Sequence, residues 1–236
     1  MSIPKKIHQI WIGESAIPRS WEFDCKEIEK RHPDWEYIFW GNEKVNTELD
    51  KMPKNVKEKY QYFFSEKKWA YACDILRYWI LYKHGGVYLD CDFKMTENGS
   101  LNMLPLKKNL ILVNMRAIHK GKKFKCRIQN CFMAAKKKQS FLKRVVQKIS
   151  NLNYKLKTMH GQETEKYSCG FLTTEYCFYS QGLETIKHKN SFRKKIKKIM
   201  PDKECILNKE FFLGKDPIIA KHLSKRSHGL KLTNIF

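Results

Sequence analysis

No stretch of the chain strings together the ~20 apolar residues that a membrane-spanning helix requires. No secretory leader is expected either. Met1 to Lys6 reaches charge at once, and Ile7 to Ile12 is too short and too interrupted for a leader's apolar core. The 8 cysteines contain no C-x-x-C pair, so neither a zinc site nor a disulfide framework is indicated. Thiols packed as small hydrophobes, in the reducing cytoplasm, are the expectation. Acidic residues are scarce: 24 Asp and Glu stand against 47 Lys and Arg, a net charge of +23. A field of that sign suits nucleic acid, an anionic membrane surface or a phosphorylated small molecule, and does not choose among them. A lysine-rich compositional bias gives the same total. The charge is uneven, with runs such as Lys136-Lys137-Lys138 and Arg193-Lys194-Lys195 in the second half. Internal repeats and flexible linkers are absent too, which points to a single domain over residues 1–236, soluble or peripheral on a membrane.

What is present reads as α/β. Ile7 to Ile12 is an apolar run left at Gly13, a buried first strand. Ile17 to Arg31 has helical spacing (Trp21, Cys25, Ile28), with Pro18 fitting the first turn and His32-Pro33 ending it. Trp35 to Trp40 is a second strand, followed by helical stretches at Glu43–Leu49 and Lys54–Phe64. Strand, helix, strand in succession opens a mainly parallel, nucleotide-binding sheet flanked by helices. Lys67 to His84 is apolar almost all round and belongs deep in the core, stopped by Gly85-Gly86. Val87 to Leu89 follows as a short strand. Leu110–Met115 and Ile128–Ala135 read as further strands, and Ser140–Leu152 as a basic helix. Phe171–Tyr179 and Phe192–Met200 read as helices, and Cys205–Leu207 as a last strand before an irregular tail.

The chemistry concentrates after the third strand. Asp90 and Asp92 lie two apart, and in an extended backbone such residues point the same way while Cys91 turns inward. Converging carboxylates repel unless a cation sits between them, and oxygen ligands favour Mn²⁺ or Mg²⁺. A metal there would hold a diphosphate and neutralise it as a leaving group. Alone, D-x-D is equally well two solvated turn aspartates. Asp74 and Arg77, however, are charges inside the apolar helix, three apart and on one face. Each needs a partner. Either they satisfy one another as a structural pair, or their face opens onto the cleft of Asp90. There Arg77 would meet donor phosphates or sugar, and Asp74 would accept hydrogen bonds from sugar hydroxyls.

The segment Ala70 to Arg77 (AYACDILR), followed by Leu81 to Asp92 (LYKHGGVYLDCD), resembles the signature of glycosyltransferases whose sugar-binding region contains a DXD motif. That group includes yeast-type initiating α-1,6-mannosyltransferases, bacterial polysaccharide transferases and, more distantly, the catalytic domains of large clostridial toxins. Ile3 to Gly13 is similar to the family's opening strand, Pro33-Asp34-Trp35 with Trp40 to its second, and Ile128 to Ala135 to a later strand carrying an Asn, here Asn130. The clear resemblance runs from residue 3 to 92, with fainter echoes to about 180.

The resemblance implies a GT-A-type fold, a retaining reaction, a divalent metal and a UDP- or GDP-hexose donor. Residues 1–115 would form the nucleotide-sugar half and 116–236 the basic, acceptor-side half. By position, Trp11 would line or stack on the base, although a core aromatic in the first strand fits equally. Asp74 and Arg77 would contact sugar and phosphates, with Tyr88 nearby. Asp90 would reach the ribose or sugar, Asp92 the metal. His222 or Ser227 would complete the metal or phosphate shell, His228 standing where relatives carry Trp. Ser168-Cys169-Gly170 departs from the family's Thr-Gly-Pro. No nucleophile is assignable: the spacing of Glu163, Glu165, Glu175 and Asp216 selects none, and front-face attack is favoured on the resemblance alone. The expected acceptor is a lipid-linked glycan of a surface or capsular polysaccharide, reached from the cytoplasmic membrane face. Two alternatives remain: a toxin-like enzyme glycosylating protein side chains, and a non-enzymatic basic module for membranes or nucleic acid. Nucleic acid is not expected, because most Trp and Tyr residues fall outside the Lys runs.

Overall fold

The structure, a computed structural model, describes residues 2–116, 126–150, 204–207 and 218–222. In chain order the elements are β1 (Lys6–Ile10), α1 (Arg19–Lys30), β2 (Glu36–Trp40), α2 (Asn42–Leu49), α3 (Lys54–Ser65), α4 (Trp69–His84) and β3 (Gly86–Leu89). They continue with β4 (Phe93–Met95), β5 (Leu110–Arg116), β6 (Cys126–Ala135), α5 (Ser140–Ser150), β7 (Glu204–Leu207) and β8 (Ala220–His222). The helices expected at 171–179 and 192–200 lie outside the described residues.

Alternation along the strands makes two cores. In β3, Val87 and Leu89 face one side of the sheet with Ile7, Ile28, Phe132 and Ile219, while Tyr88 faces the other with Ile75, Leu76 and Trp79. Helices therefore cover both faces, α1 on the first and α2 to α5 on the second. Helix α1 starts at Pro18 (φ −55°, ψ 135°), whose ring presets the turn. Helix α5 buries Phe141, Leu142, Val145, Val146 and Ile149 on one stripe and leaves Lys143 and Gln147 outside. Its first turn is held by Gln139 Oε1, which accepts from the amides of Phe141 (2.5 Å) and Leu142 (3.2 Å). No helix among the described residues is long and apolar enough to cross a membrane.

The six-stranded sheet runs β2-β1-β3-β6-β5-β7. β1, β2 and β3 are parallel, β5 and β7 run with them, and only β6 is reversed. The expectation of an α/β, mainly parallel sheet holds in this mixed form. Chain order reverses at β1: β2 lies on one side of it and β3 on the other. Such a reversal leaves a crevice beyond the carboxyl ends of the strands, where open α/β sheets take their ligands.

Two features depart from the sequence reading. Strand β3 ends at Leu89, and Cys91 and Asp92 form a turn into β4, so the two aspartates are not on an extended strand. The tail is not wholly irregular either. β8 pairs antiparallel with β4 (Phe93 opposite His222, Met95 opposite Ala220) in a separate two-stranded sheet. Strands of three residues are too short to show a period.

At the far end of the sheet, Gly85 (φ 67°) and Gly86 (φ 108°) turn α4 into β3 in a conformation that side chains disfavour. Space also demands glycine there. A Cβ on Gly86 would lie 2.7 Å from Lys6 O and 3.0 Å from His8 Nε2. His8 is fully buried. Trp40 Nε1 donates to its Nδ1 (3.2 Å), so its Nε2 carries the proton and donates to Gly85 O (2.8 Å). One neutral imidazole thus ties β1, β2 and the end of α4 together. Burial pushes its pKa down to about 4 from 6.5. His32, also buried, is shifted down for the same reason.

These histidines set an acid limit on stability. Above pH 6.5 His8 is neutral in both folded and unfolded chains and contributes no pH dependence. As pH falls from 6.5 to about 4 the unfolded chain takes up a proton that the native state refuses. Stability should therefore decline across that window by on the order of 3 kcal/mol for His8. Urea denaturation at pH 7.5, 6, 5 and 4.5 measures it, and a flat profile would contradict the neutral, buried assignment.

Candidate active site

At the carboxyl end of β3, beside the switch point, Asp74, Arg77, Tyr88 and Asp90 meet in one set of contacts. Arg77, on the inward face of α4, places Nη2 3.1 Å from Asp74 Oδ1 and Nη1 3.1 Å from Asp90 Oδ1. Nη1 also donates to Asn130 O on β6 (2.9 Å), and the guanidinium lies over the Tyr88 ring at 4.8 Å. The Asp74–Arg77 pair is therefore not closed on itself: the same guanidinium reaches the Asp90 carboxylate of the D-x-D motif.

Asp90 is fixed from four directions. Its amide donates to Cys131 O (2.9 Å) and its carbonyl accepts from Gln9 Nε2 (3.3 Å). Its Oδ1 accepts the Tyr88 hydroxyl (2.5 Å) as well as Arg77. Gln9 is held in turn by the Tyr37 hydroxyl (2.7 Å). Asp74 Oδ1 receives the side-chain amide of Asn130 (2.9 Å). Side-chain exposure separates two kinds of residue. Arg77 is 8% exposed, whereas Asp74 is 15% and Asp90 29% exposed, so the carboxylates meet an incoming molecule before the guanidinium does. Tyr88 is buried beneath Asp90.

The electrostatics follow. Burial works against the charge of Arg77, but Asp90, Tyr88 and Asp74 outweigh it and hold its pKa well above the ordinary arginine value. Burial, opposed by Arg77 and helped by Asp90, drives the Tyr88 phenol far up, so it stays a neutral donor. Cys73 is pushed up to about 12 by burial, and Cys131 higher still. Cys91 does turn inward, toward Ile10 O (3.4 Å) and against Cys25. Among the described residues Cys25, Cys73, Cys91 and Cys131 are free thiols.

No cluster of three His, Cys, Asp or Glu side chains that could hold a metal occurs among the described residues. The donor set nonetheless fits a hard divalent ion. Asp74 and Asp90 share a single guanidinium, and Asp92 lies in the turn two residues beyond Asp90, so the oxygen donors at this end of the sheet outnumber the one cation. Mg²⁺-like ions characteristically take one or two carboxylates and leave the remaining positions to water and substrate phosphates. His222 occupies the register position opposite Phe93, the residue after Asp92. Ser227, His228, Glu163, Glu165, Glu175, Asp216 and Ser168-Cys169-Gly170 lie outside the described residues.

Trp11 follows β1 at the same end of the sheet and is neither core nor free surface. It is partly exposed, gives its indole N–H to Ser15 O (2.9 Å), and meets Trp21 edge-on at 5.6 Å. The supporting roles of Gln9, Tyr37 and Asn130 were not derivable from sequence. Polar residues at strand positions (Gln9 fully buried, Asn130 nearly so) were the available signal.

Residues 18–111 match the family described as "Glycosyltransferase sugar-binding region containing DXD motif". Inositol phosphoceramide mannosyltransferase 1 of Schizosaccharomyces pombe is 30% identical over 182 residues, covering 75% of this chain and 52% of that protein. Mannosyl phosphorylinositol ceramide synthase SUR1 of Saccharomyces cerevisiae is 36% identical over 94 residues, covering 38% of this chain and 22% of that protein. The chain thus spans about half or less of these relatives. Among solved structures, PaToxG glycosyltransferase superposes with a TM-score of 0.59 at 19% identity, covering 86% of this chain and 80% of the other. The UDP-bound glycosyltransferase domain of the YGT toxin gives 0.52 at 11% identity, covering 93% and 80%. At these identities the likeness is one of fold.

Removing the guanidinium should strand two carboxylates. Arg77→Leu is expected to cost on the order of 2 kcal/mol, below the ~3–5 of a fully buried pair because Asp74 and Asp90 are partly solvated. Urea unfolding of the variant measures it. Adding Asp74→Asn and Asp90→Asn should recover part of the loss, and a loss that stays unchanged would contradict the ion-pair origin.

Proposed function

We propose that the chain, whose residues 18–111 match the glycosyltransferase family with a DXD-containing sugar-binding region, is a member of that family and transfers a hexose, mannose by preference, from a nucleoside-diphosphate sugar to an inositol-phosphate-bearing lipid. The observation that carries the reading is the Asp90–Asp92 turn at the switch point, braced by Arg77, Tyr88 and Gln9 where nucleotide-type ligands enter such sheets. In this reading Asp92, with Asp90, holds a Mn²⁺ or Mg²⁺ ion, which when bound offsets charge on the departing diphosphate. Asp74 and the outer edge of Asp90 accept hydrogen bonds from the sugar hydroxyls, and Trp11 lines the base. Arg77 acts from behind, holding both carboxylates aimed.

The choice of mannose and of a phosphoinositol lipid rests on the names of two relatives and on the +23 charge, which favours an anionic acceptor. Work at a cytoplasmic membrane face belongs to the same proposal. A lipid-linked glycan of a polysaccharide pathway also presents an anionic phosphate beside its lipid and is the second acceptor to try.

The purified protein should slowly hydrolyse one donor from a panel of UDP- and GDP-sugars with Mn²⁺, GDP-mannose being expected. EDTA should abolish the reaction and Asp92→Asn reduce it by about 100-fold or more. Vesicles carrying phosphatidylinositol or inositol phosphoceramide should convert hydrolysis into transfer. If no nucleotide bound in the presence of Mn²⁺, the transferase reading would fall.

A further inference from the structure

Thr96 is the hub of a joint that no part of the proposed chemistry uses. It lies directly after β4, and so four residues beyond Asp92. Its amide donates to Ile219 O (3.1 Å), and its hydroxyl lies 3.0 Å from both Ile218 O and Ile219 O. Ile219 is fully buried in the core beneath Phe93 and Leu101. Gly99 leaves room for this close approach, since a Cβ there would fall 1.8 Å from Ile219 O. The residues that follow Ile219 form β8, which puts His222 opposite Phe93.

The loop carrying Thr96 and Gly99 is pinned from outside by the end of α1. Arg31 Nη1 donates to Thr96 O (2.8 Å), and Nη2 donates to Glu97 O (2.7 Å) and Gly99 O (2.8 Å). His32 Nδ1 donates to Ile28 O (2.7 Å), which leaves Nε2 to accept the Leu101 amide (2.9 Å). A charged fork and a neutral imidazole therefore fix one loop, and that loop fixes residues 218–222 against the D-x-D turn.

We propose that Thr96 is a positioning residue of the metal–diphosphate site, setting through Ile219 and β8 how closely residues 220–222 approach the Asp90–Asp92 turn. The inference rests on the function proposed above and extends it to a residue that touches neither metal nor donor. Hydrogen-bond anchors of this kind around a metal site commonly change affinity 10- to 100-fold when removed. Thr96→Val keeps shape and burial but deletes the hydroxyl. Thr96→Ser keeps the hydroxyl.

The test is calorimetric binding of UDP and of GDP in the presence of Mn²⁺, with the metal concentration varied, on wild type, Thr96→Val and Thr96→Ser. Thr96→Val should raise the Mn²⁺ concentration needed for half-maximal nucleotide binding about 10-fold. Thr96→Ser should stay within about 2-fold of wild type. Thermal melts distinguish this from a general loss of stability. A lowered melting temperature with unchanged Mn²⁺ dependence would make Thr96 merely structural and overturn the proposal. Absence of Mn²⁺-dependent nucleotide binding by the wild type would instead remove the function on which the proposal stands.

Discussion

The Arg77 guanidinium is the constraint around which this end of the molecule is built. A helix turned inward on nearly every side has no business with a charge, and burial alone would push Arg77 toward neutrality. It persists because Asp74 from the same helix and Asp90 from the end of β3 share it, and Asn130 O on β6 takes another of its N–H groups. Three elements are thus brought to one point by a group that cannot be left unsatisfied. The two carboxylates gain a fixed orientation, while the cation that orders them stays behind. Replacing the whole set by hydrocarbon would stabilise a protein with nothing to bind.

Around that point the fold supplies geometry. Reversal of chain order at β1 opens a crevice, to which β1 and the residue that follows it each contribute. Trp11 stands at the rim, and buried Gln9 reaches sideways to the carbonyl of Asp90. Tyr88 alternates away from Val87 and Leu89, so its hydroxyl arrives under Asp90 from the α4 side of the sheet. The opposite end of the same strands is closed by glycines and a neutral histidine, which keep α4 at the height where Arg77 meets its partners.

Much of this was legible in residues. The apolar period of Trp69 to His84, interrupted only by Asp74 and Arg77 within its core-facing part, announced both the central helix and its buried pair. Gly85-Gly86 marked where that helix must stop. The Asp90–Asp92 pair was legible as chemistry but not as geometry: an extended strand was expected, and a turn was found. The bracing by Gln9, Tyr37 and Asn130 escaped because an isolated polar residue in a strand announces burial or exposure with equal force. β4 and β8 escaped for a different reason. Each is three residues long, and their pairing is decided by Ile219 filling a core far from it in sequence, beyond the reach of any local pattern.

The joint between Thr96 and Ile219 also has a meaning in time. Its partners are separated by 123 residues, and closing so large a loop carries an entropic cost that local helices and the β1–α1–β2 unit do not bear. The small sheet that flanks the D-x-D turn is therefore expected to assemble late. On a ribosome, the chain can complete its central helix and its buried ion pair long before residue 219 has been made. An early, correctly packed chain would then exist with its carboxylates in place and the flanking strand still to come.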